Sequence, residues 1–161
     1  MAQRPLNVLF VCERNSIRSI MAEALLNRFG DGRFRAYSAD LNPAPELHPI
    51  AAEMLKAGGL ATANLKPRHV SEFMTPGAPK MDFVISIGNG ATSLPGLPGH
   101  PMLVRWGISE PLTGNGDAVG QKLAFRRAFR ELENRIRLFV LVRHDRESER
   151  PVEVASAAQS A

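Results

Sequence analysis

The chain has 161 residues, a net charge of +4 and a pI of about 9.8, with 44% hydrophobic and 22% charged residues. That is one soluble domain with enough chain to bury a sizeable core, and it excludes a disordered or fibrous protein. The single cysteine excludes an internal disulfide framework, and no apolar run reaches membrane-spanning length.

In chain order, "LNVLFV" (6–11) is a continuous apolar run, the pattern of a strand covered on both faces. A helix is predicted from Ile17 to Phe29. Ile20, Met21, Ala24 and Leu25 share one side of it, and Gly30 stands where a C-cap would. "RFRAYSA" (33–39) alternates as a second strand, and "NPAPELHP" is turn chemistry. "IAAEMLKAGGL" reads as a short helix ending at Gly58 and Gly59, and "HVSEFM" as one helical turn. Strands follow at 81–87 and 102–106, separated by the Gly- and Pro-rich loop "GNGATSLPGLPGHP". "GISEPLTGNGD" is a further loop. From Ala118 to Val142 runs the longest helix, with Phe125, Ala128, Phe129, Leu132, Ile136, Phe139 and Val140 forming a core-facing stripe. The sequence predicts a domain over 1–145 and a frayed tail over 146–161.

Strands separated by helices imply parallel pairing with right-handed crossovers. The expected fold is α/β: a small four-stranded, parallel, doubly wound sheet with helices on both faces. In such sheets ligands bind at the carboxyl ends of strands, near the point where strand order reverses. Cys12 lies at such an end.

The stretch "VCERNSIRS" carries the chemistry. A loop from strand end to helix start turns backbone N–H groups inward, and the helix adds roughly half a positive charge. At such a position a thiol pKa falls from its usual value of about 8.5. The Ser19 hydroxyl can donate to the sulfur, and Arg18 offers a planar fork to two oxygens of a phosphate-like anion. Asn15 and Ser16 suit a tight loop. Nucleophile, cradle and clamp together point to covalent catalysis on a tetrahedral oxyanion.

Other motifs are weaker. His48, His69, His100 and His144 lack metal-ligand spacing, and no metal site is expected. "GNGATS" lacks the third glycine of a dinucleotide fingerprint. The basic excess sits in "RRAFRELENRIRLFVLVRHDRESER", where Arg and Glu alternate along a solvated helix face. Neither nucleic acid nor membrane is an expected partner. Trp106 reads as a lid or packing residue. The absence of a signal-peptide pattern points to the cytoplasm.

"VLFVCERNSIRSIMAEALLNRF" resembles the phosphate-binding loop and first helix of the low-molecular-weight protein tyrosine phosphatase superfamily. It is most similar to the thioredoxin- or glutaredoxin-type arsenate reductase branch, and the likeness continues through "YSADLNPAPELHPIAAEMLKAGG", "RWGISEP" and "AFRRAFRELENRIRLF". The resemblance implies the three-layer phosphotyrosine phosphatase I-like fold. It implies that Cys12 attacks phosphorus or arsenic, that Arg18 and the loop amides of Glu13, Arg14, Asn15, Ser16 and Ile17 hold the oxyanion, and that Ser19 stabilises the thiolate. It implies that Glu110, before Pro111, is the general acid where the family has Asp.

This sequence departs from the pattern in several places. Glu110 is one methylene longer than Asp. Gly88 and Leu94 stand where arsenate reductases of this branch carry resolving cysteines, so an internal disulfide relay is excluded and any reduction needs an external thiol. Glutathione with a glutaredoxin-like partner, or mycothiol, would serve. Glu13 and Arg14 occupy loop positions that are more often small, and Leu112 replaces a tyrosine of the eukaryotic-type enzymes. The expected function is hydrolysis of a phosphomonoester through a phospho-cysteine, with no cofactor. The alternatives are arsenate reduction with an external thiol and a non-catalytic phosphate-binding module. The sequence leaves oligomeric state open.

Overall fold

The computed structural model describes residues 4–14, 17–88, 97–111 and 117–149. Four strands, β1 (Leu6–Arg14), β2 (Phe34–Asn42), β3 (Phe83–Ile87) and β4 (Met102–Trp106), form one parallel sheet in the order β2-β1-β3-β4. Among the described residues three α-helices accompany them: α1 (Ile17–Phe29), α2 (Pro49–Ala57) and α3 (Ala118–Glu149). The chain moves outward from β1 to β2 and then returns to the other side of β1 for β3. The strand order therefore reverses between β1 and β3, and their carboxyl ends flank the crevice such sheets use for ligands. The expected doubly wound α/β fold is present.

Alternation along β1 builds two cores. Val8, Phe10 and Cys12 face a large cluster made with α1, α2 and α3, including Met21, Leu25, Leu55, Phe125, Leu132 and Ile136. Leu9 and Val11 face a smaller cluster with Ala39, Val84 and the one-turn helix Val70–Phe73. The helical cover of the second face is thus thin among the described residues. The longest helix owes its place to its apolar stripe: Phe125, Leu132 and Ile136 are fully buried. Phe139 continues that stripe, with its ring centroid 5.4 Å from those of Phe34 and Phe83 and 6.2 Å from that of Trp106. Trp106 also lies 5.7 Å from Phe10, so it is a packing residue.

Several element boundaries differ from the sequence reading. β1 runs three residues beyond Val11, because β2 continues to Asn42 and offers partners in register: Cys12 opposite Asp40 and Arg14 opposite Asn42. α3 extends to Glu149, so 146–149 continue the helix, while 150–161 lie outside the described residues. No helix among the described residues is long and apolar enough to cross a membrane. Two histidines have capping roles. His48 Nδ1 accepts from Ile50 N at 3.2 Å to start α2, and His69 Nδ1 accepts from Ser71 N at 3.1 Å.

β2 is an edge strand, and α1 covers it with a polar stripe at four-residue spacing. Asn27 exchanges two hydrogen bonds with the Ala36 backbone, at 2.9 and 3.2 Å. One turn earlier Glu23 accepts from Ser38 Oγ at 2.8 Å, and one turn before that Ser19 Oγ donates to Asp40 Oδ1 at 3.0 Å. Three polar side chains of one helix therefore meet residues 36, 38 and 40 of one strand. This seam leads directly to Cys12.

Glu23 is buried, and burial pushes its carboxyl up to about 6 from 4.5, against the lowering by the Ser38 hydrogen bond and the Arg68 charge. Its folded-state pKa is raised, so its stabilising contribution is complete below pH 4.5 and is lost as pH rises through about 6. Urea denaturation of Glu23→Gln and of the unmodified protein is expected to show this as a gap. The variant should gain about 2 kcal/mol relative to the unmodified chain between pH 4 and pH 7. Leu132→Ala, which empties a fully buried position under the sheet, is expected to cost about 2–5 kcal/mol in the same assay.

Candidate active site

The site is built where β1 hands over to α1. Cys12 closes the apolar run of β1 and is fully buried. Its backbone N–H donates to Asp40 Oδ1 at 3.1 Å. Asp40 is itself fully buried on β2, directly opposite Cys12 in the sheet register. Ser19, in the first turn of α1, donates its hydroxyl to the same Asp40 oxygen at 3.0 Å. The Asp40 backbone N–H donates to the Arg68 carbonyl at 2.9 Å, which anchors this end of β2.

Arg18 begins on α1 and reaches across to the loop after β4. Nη1 donates to the Ile108 carbonyl at 2.7 Å, and Nη2 donates to Glu110 Oε2 at 2.8 Å. Only 7% of Arg18 is exposed, and its Nε has no hydrogen-bond partner among the described residues. A buried guanidinium with an unused N–H is poised for a further acceptor, since leaving it unmatched costs free energy. Gly88, just past β3, forms one wall. Its φ is +122°, and a Cβ built there would stand 3.0 Å from Arg18 Nη1. Its backbone N–H is held by the Trp106 carbonyl at 2.9 Å.

The fold thus brings together four residues singled out from the sequence: Cys12, Arg18, Ser19 and Glu110. Glu110 lies 92 positions from Arg18 in the chain, and its carboxylate meets the guanidinium. Ile17 is buried in the core at the start of α1. The expected loop is shorter than the motif implies. Glu13 and Arg14 belong to β1, and Glu13 is exposed. Asn15, Ser16, Leu94 and Leu112 lie outside the described residues.

The thiol departs from expectation. Cys12 is pushed up to about 12, first by burial and then by the Asp40 charge; Arg18 and the Ser19 hydrogen bonds pull the other way without prevailing. The sequence reading weighed the helix terminus, Arg18 and Ser19 but not Asp40. The signal was present: "YSAD" puts an acid on the inward-facing set of an alternating strand, where a carboxylate needs a dedicated partner.

Chemically the arrangement offers a sulfur, a guanidinium with a spare donor, a carboxylate that can exchange partners, and a crevice at the strand-order reversal. The family model described as low molecular weight phosphotyrosine protein phosphatase matches residues 7–95. The arsenate reductase of Bacillus subtilis is 28% identical over 133 residues, covering 82% of this chain and 93% of that protein. The glutaredoxin arsenate reductase of Synechocystis sp. is 30% identical over 105 residues, covering 65% of this chain and 77% of its own length. An arsenate reductase structure from Archaeoglobus fulgidus superposes with a TM-score of 0.65 at 31% identity, over 83% of this chain and 98% of that one. A low molecular weight protein tyrosine phosphatase structure from T. tengcongensis shares the fold with a TM-score of 0.63 at 19% identity, over 86% of this chain and 99% of that one. The family match spans more than half of the sequence and contains the whole Cys12-to-Ser19 stretch, so this chain belongs to the low molecular weight phosphotyrosine protein phosphatase family.

Proposed function

We propose that this protein hydrolyses a phosphomonoester through a covalent phospho-cysteine on Cys12. The observation that carries the reading is the Arg18–Glu110 pair, which sets an oxyanion clamp and a carboxyl group side by side at the end of β1. A dianionic phosphoryl group takes the Arg18 fork and displaces Glu110, which then stands beside the leaving oxygen. Sulfur forms a bond to phosphorus as the ester P–O bond breaks. The thiol proton ends on the leaving alcohol, by way of Glu110. Water then cleaves the P–S bond, returning the thiol and inorganic phosphate. No metal and no electron acceptor enters either step.

A second reading is supported by the relatives named as arsenate reductases and by a similar structure described as an arsenate reductase in the phosphate binding state, 27% identical. In it the Cys12 thiol condenses with arsenate, releasing water and leaving an S–As bond. An external thiol then attacks the Cys12 sulfur. The S–As electron pair leaves with arsenic, reducing As(V) to As(III), while the two sulfurs are oxidised to a mixed disulfide. A glutaredoxin-like partner or a second small thiol would restore Cys12. The outside thiol is required because Cys12 is the only cysteine. Gly88, where an internal one would stand, packs against Arg18 instead.

Paired assays on one preparation separate the two. Aryl-phosphate hydrolysis and arsenate-dependent oxidation of glutathione with glutaredoxin are followed in the unmodified protein and in Cys12→Ser. The expected result is hydrolysis that falls to about a thousandth or less in the variant. Cys12-dependent arsenate reduction without hydrolysis selects the second reading, and silence in both assays sinks both. Gly88→Ala forces a side chain toward Arg18 on a strained backbone. It is expected to weaken inorganic phosphate binding roughly tenfold, about 1.4 kcal/mol, read as lost protection of Cys12 from iodoacetamide.

A further inference from the structure

The two edges of the sheet are finished differently. β2, at one edge, has its Ala36 backbone groups taken up by Asn27 of α1. β4, at the other edge, pairs with β3 alone. The Met102 N–H donates to the Asp82 carbonyl, and the Trp106 carbonyl accepts from the Gly88 N–H. The backbone groups of Met102, Val104 and Trp106 therefore point inward to β3. Alternation turns the N–H and C=O of Leu103 and Arg105 outward, where no described residue meets them. Such an edge is a template for a further strand.

The side chains around this edge are of the kind that a covered strand carries. Met102 and Leu103 of β4 are exposed, Leu103 by 73%. Leu138 of α3 is 59% exposed, and Val142 one turn later is exposed as well. Helical rotation of roughly 100° per residue settles which flank of α3 these two occupy. Phe139 faces the sheet, against Phe83 and Trp106. On one flank of Phe139, Arg137 and Val140 share a cleft with Phe29 of α1. Leu138 and Val142 fall on the opposite flank, toward β4, where the neighbouring Arg143 donates to Met102 Sδ at 3.7 Å. Two cations lie beside this apolar patch. Arg105 is exposed on the face of β4 away from α3, and Arg135 is exposed on α3 one turn before Phe139. Neither forms an ion pair among the described residues.

We propose that the free edge of β4 receives an extended segment of a partner protein as a fifth strand, and that this segment alternates apolar and acidic residues. Main-chain hydrogen bonds to Leu103 and Arg105 hold it in place. Its apolar side chains fall on the α3 side, against Met102, Leu138 and Val142. An acidic side chain falls on the other side, beside Arg105. A second copy of this chain fits less well. Pairing β4 with itself about Val104 sets Arg105 opposite Leu103 and gathers the arginines of both copies into one cationic patch. Nucleic acid would match the charge but would leave the apolar side chains and the outward backbone groups unmet. The inference does not depend on the chemistry of Cys12.

The probe is a fluorescein-labelled peptide of alternating valine and glutamate, added to the full chain. Affinity is read by fluorescence anisotropy and location by amide hydrogen exchange. Saturable binding is expected, with slowed exchange at the Leu103 and Arg105 N–H groups. Absence of binding overturns the proposal, as does binding that leaves those two amides unprotected. Equal affinity for a valine–lysine peptide, or for a single-stranded oligonucleotide, also overturns it. So does concentration-dependent dimerisation that protects the same amides without peptide, which assigns the edge to a second copy. Arg105→Glu should weaken the valine–glutamate peptide roughly tenfold and strengthen the valine–lysine peptide by a similar factor. Unchanged affinities in that variant count against the proposal. Leu103→Pro removes one outward N–H at a position where an edge strand tolerates proline, and should weaken binding roughly tenfold or more. Full affinity in a folded Leu103→Pro protein refutes strand addition. Should that variant not fold, the exposed Arg105→Glu substitution and the exchange pattern still decide. No turnover enters these readouts, so failure of the functional reading and failure of this inference remain separate results.

Discussion

A buried guanidinium organises this molecule. Arg18 starts α1, yet its side chain ends on the loop beyond β4, between the Ile108 carbonyl and the Glu110 carboxylate. An unmatched charge in that position would be expensive, so the loop must present a carbonyl and an anion at the right place. β3 and β4 deliver that loop, and Gly88 leaves room for the fork by having no side chain. The first helix and the last strand are thereby tied at the carboxyl end of the sheet. Nη1 and Nη2 are engaged by the protein itself, while Nε has no partner among the described residues.

The second constraint is the polar seam between α1 and β2. Edge strands need their free backbone groups occupied, and α1 meets that need with Asn27 at the Ala36 backbone. Glu23 and Ser19 continue the stripe toward the site, meeting Ser38 and Asp40. Structural cover at one end thus becomes electrostatics at the other. The helix that protects the sheet edge also carries the residues that set the charge around Cys12.

These two features pull the thiol in opposite directions. Arg18 and Ser19 favour the thiolate, while burial and Asp40 favour the thiol. Proximity of a cation is therefore not enough to infer an activated cysteine, because the number of acceptors sharing the available donors matters as much. Here burial comes first and the Asp40 charge second among the effects that raise the thiol.

The sequence alone determined much of this. Apolar runs, alternation and helical periodicity located the four strands and three α-helices of the described residues, although β4 buries only Trp106. The spacing of Cys12, Arg18 and Ser19 was legible because the strand–turn–helix chemistry is local. The extent of β1 was not. Glu13 and Arg14 look like loop residues until β2 is known to run on to Asn42, opposite Arg14. Nor could the chain alone show that Glu110 meets Arg18, that Gly88 walls the guanidinium, or that Asp40 lies opposite Cys12. Those contacts join segments 28 to 92 residues apart. Strand register and crossover direction bring them together, and neither is written in any one stretch. The sequence placed Cys12 and Arg18 close together in the chain; only tertiary packing decided which charges stand beside the sulfur, because Asp40 and Glu110 reach it from other elements.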